Sequence, residues 1–200
     1  MGIKKYIADK DNTITNAYRI DLSSRATGSN MGASDILEVF SIYGQQTTSS
    51  AELSRVLVQF PVTEISSHRT SGTIPASGSV KFYLRMFNAR HSEQLPKDYT
   101  VNVLAVSQSW QEGYGLDMES YTDKTKDAIE GSNWINKDSL PAANWAQVGG
   151  DYHSSSYTPA ETMPSYTYTF TGGDDMLLDV TAAVEEWIDG TQTNNGFGIF

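Results

Sequence analysis

The side chains that could support acid–base or metal chemistry in this chain are three histidines and a group of loop acids. His68, His91 and His153 lie in three different predicted loops, and none stands four residues from another or within a His-Glu-x-x-His pattern. Zinc and catalytic sites depend on such spacing. The histidines are therefore interpreted as surface residues.

The carboxylates are numerous but show no pairing by sequence. Glu112 and Asp117 flank a glycine-containing turn, and further acids follow at Glu119, Asp123 and Asp127. A glycosidase needs two carboxyl groups at a fixed separation, one with a raised pKa, and no spacing here indicates such a pair. Solvated loop acids are the favoured interpretation.

Calcium is the less favoured alternative to a chain without a cofactor. Its oxygen ligands would come from Asp117, Glu119 and Asp123 or from the run Gly172-Gly173-Asp174-Asp175. Neither set has the Asp-x-Asp-x-Asp-Gly spacing of an EF-hand loop. The expectation is no cofactor and no catalytic residue, since no Ser-His-Asp order, Gly-x-Ser-x-Gly elbow, Walker loop or Gly-x-Gly-x-x-Gly pattern occurs.

Aromatic side chains are the stronger candidates for contact with a ligand or partner. Flat rings stack on sugars and bury large areas at interfaces. The candidate residues are Trp134, Trp145, Tyr114, Tyr121 and Tyr152. The favoured interpretation is nevertheless that Trp110 and Trp187 belong to the core while the other rings pin a long loop to it.

Composition excludes several classes of function. The chain has 200 residues, a net charge of −10 and no cysteine. The acidic surface opposes nucleic acid and anionic membranes, and the missing cysteines exclude disulfides and thiolate sites. No apolar run approaches membrane-spanning length, and no apolar segment follows Lys4-Lys5 as a secretory signal would require.

Most of the chain shows the alternation of apolar and polar residues that is typical of strands. In the clearest example, Val56 and Val58 point one way while Arg55 and Leu57 point the other. Within 80–87, the alternation predicts that Tyr83 and Arg85 point outward. Residues 64–72 are predicted to be an exposed connection, and periodicity disappears over about 111–162. The predicted strands are 4–8, 12–18, 36–43 (covered on both sides), 54–62, 80–87, 99–106, 165–170, 176–180 and one beginning at 197.

The period changes near the end of the chain. Val180, Val184, Trp187 and Ile188 form one helical stripe. Asp179 or Thr181 can cap the start of this helix, and Gly190 suits its end. Asn194-Asn195-Gly196 provides turn residues before Phe197.

These patterns predict an all-β fold, an antiparallel two-sheet jelly-roll sandwich with one short helix at about 181–189. Residues 1–200 are predicted to form a single domain, with a long irregular insertion at about 111–162.

Several landmarks in order resemble DNRLRE-type β-sandwich domains, jelly rolls related to carbohydrate-binding modules and found in cell-surface and phage virion proteins. The resemblance covers nearly the whole chain, and the long segment after Trp110 is most similar to marine tailed-phage structural proteins. The landmarks are Ser29-Asn30-Met31-Gly32, Ser54-Arg55-Val56 continuing to Phe60, Ile74-Pro75-Ala76, Val101-Asn102-Val103, Ser109-Trp110-Gln111-Glu112-Gly113, Asn133-Trp134, Asp179-Val180-Thr181 with Trp187 and Gly190, and Asn194-Asn195-Gly196-Phe197.

The resemblance implies a non-catalytic virion structural protein of a tailed phage, located in the virion at its neck, tail or capsid exterior. Its expected partners are other virion proteins and further copies of itself. The alternative is a carbohydrate-binding module that recognises a surface glycan. Family members continue past the Asn-Asn-Gly turn with further strands, so we expect either more chain beyond Phe200 or a partner strand that completes the sheet.

Overall fold

The computed structural model describes residues 2–44, 46–89, 98–117, 131–153, 163–171 and 173–200. Its strands are β1 (Lys10–Thr15), β2 (Ser41–Tyr43), β3 (Ala51–Gln59), β4 (Tyr83–Met86), β5 (Asp98–Ala105), β6 (Asn136–Ser139), β7 (Ala142–Asn144), β8 (Tyr166–Thr171), β9 (Met176–Asp179) and β10 (Phe197–Ile199). Two helices complete the described elements: α1 (Val62–Thr70) and α2 (Thr181–Asp189). The fold is mainly β, and every strand pair in it is antiparallel.

The main sheet has the strand order β1-β3-β10-β5-β8, with β2 paired to the start of β3. The short strand β10 is central in this sheet. Phe197 pairs with Val58 of β3 on one side and with Ala105 of β5 on the other. The last described strand therefore joins the two halves of the sheet and has a partner on both edges.

Both faces of the main sheet are covered around β3 and β10, whereas every second residue of β8 is exposed. On one face Val56 and Val58 pack in a large apolar cluster with residues of both helices, β4 and β9. On the other face Leu57 packs with Trp110, Trp134, Trp145 and Tyr152. The second cluster comes largely from the long segment that follows β5.

The long segment is only partly as predicted. Of residues 111–162, the structure describes 111–117 and 131–153. This described part contains the hairpin β6–β7, which the sequence does not reveal because Asn136–Ser139 and Ala142–Asn144 lack an alternating apolar pattern. A network of buried amides ties the segment to the rest of the protein. Asn30 Nδ2 donates to the carbonyl oxygens of Glu112 and Ser132, and Asn12 Nδ2 also donates to the Ser132 carbonyl.

Helix α2 agrees with its prediction. It spans Thr181–Asp189, buries Val184 and Trp187, and ends at Gly190 in the left-handed conformation. The capping differs in detail, because Val180 is the N-cap and makes no side-chain cap. The Asp179 carboxylate, one residue earlier, accepts a hydrogen bond from the Thr181 amide. The Tyr166 hydroxyl accepts another from the Ala183 amide.

Helix α1 corrects the prediction of a single helix and of an exposed connection at 64–72. Only Val62 and Ile65 are buried on it, so no apolar stripe marks it in the sequence. It is held by tertiary contacts instead. Arg69 makes a bidentate ion pair with Glu185 of α2, and His68 hydrogen-bonds to the side chains of Tyr6 and Lys4.

Two further predicted strands are wrong or too long. Residues 4–8 form no strand, and Tyr6 instead packs against the main cluster. Of 36–43, only Ser41–Tyr43 is a strand. Ile36 is 49% exposed there, so this segment is not covered on both sides.

Candidate functional site

The antiparallel pair β4–β9 presents a partly apolar face to solvent, which we call the ribbon face. Alternation places Leu84, Leu178 and Met176 inward against the core. The opposite positions are therefore outward, and three of them carry large apolar groups. Tyr83 is 53% exposed, Leu177 is 56% exposed and Phe87, just beyond β4, is 68% exposed. The outward direction of Tyr83 and Arg85 confirms the alternation predicted for 80–87.

Charged side chains alternate with these apolar groups along both rows of the ribbon face. Lys81 Nζ lies 2.8 Å from Asp179 Oδ2, and Arg85 Nη2 lies 3.7 Å from Asp175 Oδ2. The Arg85 guanidinium also lies 4.5 Å from the centroid of the Phe87 ring. The cations stand on the β4 row and the anions on the β9 row, so the face carries two parallel rows of opposite charge.

The landmark Asp179 is strongly acidic for a physical reason. The hydrogen bond from Lys81, followed by those from the Thr181 hydroxyl and amide, lowers the pKa of Asp179 to about 2. The same carboxylate raises the pKa of Lys81. Both groups are therefore charged at neutral pH. The Asp179 carboxylate accepts hydrogen bonds from Lys81 on the ribbon face and from Thr181 at the start of α2.

The predicted contact residues Trp134, Trp145 and Tyr152 lie in the second core cluster and are buried. Trp145 Nε1 donates to the Asn133 carbonyl at 2.9 Å, and the Tyr152 hydroxyl donates to the Gly149 carbonyl at 2.8 Å. Covered rings offer no stacking face to a sugar. The structure thus places these three residues in the packing role that was the favoured interpretation of them.

The two other candidates have different outcomes. Tyr114 is 62% exposed and makes no part of either core cluster. Tyr121 lies outside the described residues. An exposed contact role therefore stays a prediction for Tyr114 among the described candidates.

The landmark Arg55 holds the second cluster together. Its guanidinium carbon lies 5.1 Å from the Trp134 ring centroid, 5.5 Å from that of Tyr152 and 4.6 Å from that of Phe200. Its Nη1 donates to the Gly149 carbonyl at 2.7 Å. Attraction between a cation and aromatic faces thus stabilises the long segment on the sheet.

The remaining landmarks also have packing roles. Trp110 and Trp187 are buried, as their assignment to the core predicts. Trp110 Nε1 donates to the Asn195 carbonyl at 2.9 Å. Gly196 has a φ of +80°, and a Cβ there would collide with the Val58 carbonyl, so only glycine fits this entry to β10.

The histidines and loop acids are less exposed than predicted. His153 is buried and His68 is half-buried, while His91 lies outside the described residues. Asp117 is also buried, and its Oδ2 accepts the Asn30 amide at 3.0 Å. Glu112 Oε1 accepts the Asp11 amide at 2.9 Å, at the edge of β1. The acids Glu119, Asp123 and Asp127 lie outside the described residues.

No group of three or more His, Cys, Asp or Glu side chains that could hold a metal ion occurs within the described ranges. Of the alternative calcium ligands, Asp174 accepts the Thr171 hydroxyl and Asp175 accepts the Asn88 amide. These contacts give both carboxylates local structural partners.

The sequence carries a signal for the ribbon face, although none of the candidate contact residues lies on that face. Tyr83 was predicted to point outward, and an outward aromatic residue beside an outward arginine is a feature of interfaces. Leu177 and Phe87 had no such signal, because only the pairing of β4 with β9 brings them beside Tyr83.

Comparison of the chain with protein-family models, with curated proteins and with solved structures finds no match. Among the described residues, no helix is both long and apolar enough to cross a membrane. The case for a function therefore rests on the chain's own residues and geometry.

Proposed function

We propose that this chain is a non-catalytic structural protein of a tailed-phage virion, with a jelly-roll-type sandwich that assembles through protein–protein contacts. The observation that carries the proposal is the ribbon face, where Tyr83, Leu177 and Phe87 are exposed beside two ion pairs. The resemblance to virion β-sandwich proteins supports the same role at the neck, tail or capsid exterior.

The composition of the ribbon face suits a protein interface better than a free surface. Aromatic residues and arginine are enriched at interface cores, whereas charged residues concentrate at the rim. Tyr83, Leu177 and Arg85 occupy the middle of the ribbon face, and Lys81 lies at one end of it. Exposed apolar groups beside an arginine are the arrangement expected of a contact surface.

The partner that fits this surface is a second copy of the chain. A two-fold axis parallel to the strands would bring the β4 row of one copy over the β9 row of the other. Because Tyr83 pairs with Asp179 and Arg85 with Leu177, Lys81 and Arg85 would then lie one outward position from Asp179 and Asp175 of the second copy. This is the diagonal relation that the ion pairs within one copy already have. Self-complementary contacts of this kind are the commonest in homo-oligomers.

The net charge of −10 opposes this association at long range. At physiological ionic strength the screening length is about 8 Å, so contacts within the face outweigh that repulsion. Self-association is therefore expected at physiological salt and should weaken in very dilute buffer.

The test is the oligomeric state of the full chain, measured by sedimentation velocity and light scattering. Wild type should form dimers or larger assemblies, and Leu177→Lys should shift it toward monomer. Val148→Lys is the matched control, because Val148 is also exposed but belongs to the long segment. Equal behaviour of the two variants, or a monomeric wild type, would contradict the homotypic contact.

Reversing charges on the ribbon face tests the same contact between copies without changing any apolar side chain. Arg85→Asp should weaken self-association, and the double change Arg85→Asp with Asp175→Arg should restore it. Mass spectrometry of intact particles from the source should find the chain at a fixed copy number. Absence from particles would overturn the virion role even if the dimer formed.

The alternative, a carbohydrate-binding module, loses three of its five aromatic candidates, because Trp134, Trp145 and Tyr152 are covered. Among the described candidates Tyr114 is the exposed ring, and a single ring is less than a stacking platform.

A further inference from the structure

Strand β8 is the last strand of the main sheet on one side, and it pairs only with β5 within the described residues. The direction of its backbone groups follows from the other side of β5. Asn102 and Phe200 exchange two backbone hydrogen bonds, at 2.6 and 3.0 Å, so the backbone groups of Asn102 point toward β10. Because this direction alternates along an antiparallel strand, the backbone groups of Val101 and Val103 point toward β8.

The backbone groups of every second β8 residue therefore point away from the sheet. Val103 pairs with Tyr166 and Val101 with Tyr168, so the residues between them are turned to the open edge. These residues are Thr167, Thr169 and, at the end of the strand, Thr171, and all three are exposed. Their backbone N–H and C=O groups have no hydrogen-bond partner among the described residues. Such a row of unpaired groups is a template for a further strand.

Strand β8 has none of the features that normally protect an open edge. Such features are charged side chains, proline, bulges and very short length. Tyr166–Thr171 is six residues long, has the sequence Tyr-Thr-Tyr-Thr-Phe-Thr and contains neither charge nor proline. Its register with β5 runs without a bulge. Tyrosine, threonine and phenylalanine all favour extended structure, so this edge is prepared to pair with another strand.

The opposite edge of the same sheet, strand β1, is covered by other parts of the chain. The Asp11 amide donates to Glu112 Oε1 at 2.9 Å. The side chains of the next two β1 residues accept the Met31 amide at 2.8 Å and the Glu38 amide at 3.1 Å. The protein thus covers one edge of its main sheet and leaves the other open, which indicates a use for the open edge.

We infer that β8 is a docking edge for β8 of a second copy, in an antiparallel pair about a two-fold axis at Thr169. In this register Thr169 lies opposite Thr169 of the second copy, and Thr167 lies opposite Thr171 of the second copy. The outward backbone groups of both strands would then form about six hydrogen bonds. The contact goes beyond the ribbon face and shares no residue with it.

The side chains of β8 are self-complementary in this register. On the side of the main apolar cluster, Tyr168 lies opposite Phe170 of the second copy. Both rings are half-buried, and within one copy their centroids already lie 4.9 Å apart. Cross-strand aromatic pairs stabilise a sheet, so the new pair extends the packing of these rings across the axis.

The other side of β8 presents threonines to threonines. Within one copy, the hydroxyl groups of Thr100 on β5 and Thr169 on β8 are hydrogen-bonded at 2.8 Å. Cross-strand threonine pairs of this kind favour strand pairing. The same type of pair would form between Thr169 and Thr169 of the second copy, so the threonine row continues from one sheet into the other.

Charge favours a second copy of β8 as the occupant. The net charge of −10 opposes association of two copies in general, but β8 itself carries no charge. The acid closest to the strand, Asp174, accepts the Thr171 hydroxyl at the end of β8. In the two-fold register that end meets the start of the other β8, where Ser165 is uncharged. A charged strand would find no opposite charge along this edge.

The experiment is sedimentation velocity of the full chain carrying Leu177→Lys, which disables the ribbon face. This protein should still form dimers, now through β8. Adding Thr169→Lys places two like charges opposite each other at the axis, and should raise the dimer dissociation constant by at least about fivefold. Thr100→Lys is the matched control. It removes the same hydroxyl pair and adds the same charge on the same face, but on the inner strand β5.

A mixing experiment identifies the occupant of the edge. Thr169→Lys and Thr169→Glu proteins, each in the Leu177→Lys background, should associate more weakly than their parent when measured separately. An equal mixture of the two should recover the dissociation constant of the parent, because lysine then faces glutamate across the axis. This recovery requires that residue 169 of one copy lies opposite residue 169 of the other.

Amide hydrogen exchange, followed by ¹⁵N NMR, reports on the edge directly. The Thr169 N–H points to the open edge, whereas the Tyr168 N–H already faces Val101 of β5. Raising the protein concentration from well below to well above the dissociation constant should slow exchange at Thr169 by about tenfold or more. Exchange at Tyr168 should stay nearly unchanged.

The outcomes separate this inference from the ribbon contact. A Leu177→Lys protein that stays monomeric at all concentrations would overturn the β8 contact, as would equal dissociation constants for Thr169→Lys and Thr100→Lys. Failure of the mixture to recover would also overturn it, because a segment other than β8 would then occupy the edge. If wild type and Leu177→Lys form the same dimer and Thr169→Lys abolishes it, the ribbon contact fails and the β8 contact stands.

Discussion

The ring of Tyr152 lies directly against Gly198, the middle residue of the central strand β10. A Cβ at position 198 would collide with the ring carbons of Tyr152. The glycine therefore lets an aromatic residue of the long segment lie flat on the sheet, beside Arg55 and Phe200. This contact joins β10 to the second core cluster, which packs on the face of the main sheet opposite the two helices.

Gly198→Ala should destabilise the protein by about 1–3 kcal/mol, the usual cost of overpacking a well-packed core. Gly173→Ala is the control, because a Cβ there meets only Asn88 Nδ2, at 3.7 Å. Urea unfolding followed by tryptophan fluorescence measures both. Equal midpoints for the two variants would show that Tyr152 does not lie against β10.

Arg55→Lys should cost about 1–2 kcal/mol although it keeps the charge. Lysine lacks the planar guanidinium that packs among three rings while donating to the Gly149 carbonyl. Arg85→Lys is the matched control, because Arg85 contacts Phe87 in an exposed position. It should change stability by less than about 0.5 kcal/mol. Similar losses in both variants, measured by urea unfolding, would remove the special role of Arg55.

Asn30→Asp should destabilise the protein by about 3 kcal/mol or more at neutral pH. Asn30 is buried, and its amide donates to the carbonyl oxygens of Glu112 and Ser132. A carboxylate has no such donors, and it would be buried close to Asp117.

The isosteric control for that change is Asn144→Asp. Asn144 is exposed and only accepts a hydrogen bond, from Asn136 Nδ2 at 2.6 Å, so a carboxylate can replace it at almost no cost. Thermal unfolding of both variants checks the difference. A loss below about 1 kcal/mol for Asn30→Asp would mean that the amide network does not anchor the long segment.

Much of the sheet could be predicted from sequence, because β3, β5 and β8 alternate apolar and polar residues. Helix α2 was predictable for a similar reason, since its apolar residues form one stripe. Helix α1 was not, because only Val62 and Ile65 mark its buried side and its stability comes from distant partners such as Glu185.

The residues of the candidate site likewise divide into those that the local sequence predicts and those that distant contacts place. The outward direction of Tyr83 follows from alternation within one strand, whereas its neighbour Leu177 is set by pairing between residues far apart in sequence. The packing partners of Trp134 and Trp145 were likewise not predictable, because a tryptophan in an aperiodic segment has no local signal for which residues will surround it. The packing arrangement depends on Arg55, whose partners also lie far away in sequence.

The pKa of Asp179, lowered to about 2 from an ordinary value of 3.8, predicts a specific pH dependence of stability. Because the pKa of Asp179 is lower in the folded state, the stabilisation is complete above about pH 4 and is lost as pH falls through about 2.

Asp179→Asn should remove this component, so that wild type is more stable than the variant near neutral pH and the difference in stability shrinks toward pH 2. The carboxylate is 40% exposed, and solvent screening therefore limits the effect to less than about 1 kcal/mol. Lys81→Met should remove part of the same dependence, because the Lys81 hydrogen bond is the largest single cause of the lowered pKa and the Thr181 hydrogen bonds remain. Urea unfolding of the three proteins across this pH range is the measurement. Parallel pH profiles for wild type and Asp179→Asn would mean that Lys81 and Thr181 do not hold the carboxylate in solution.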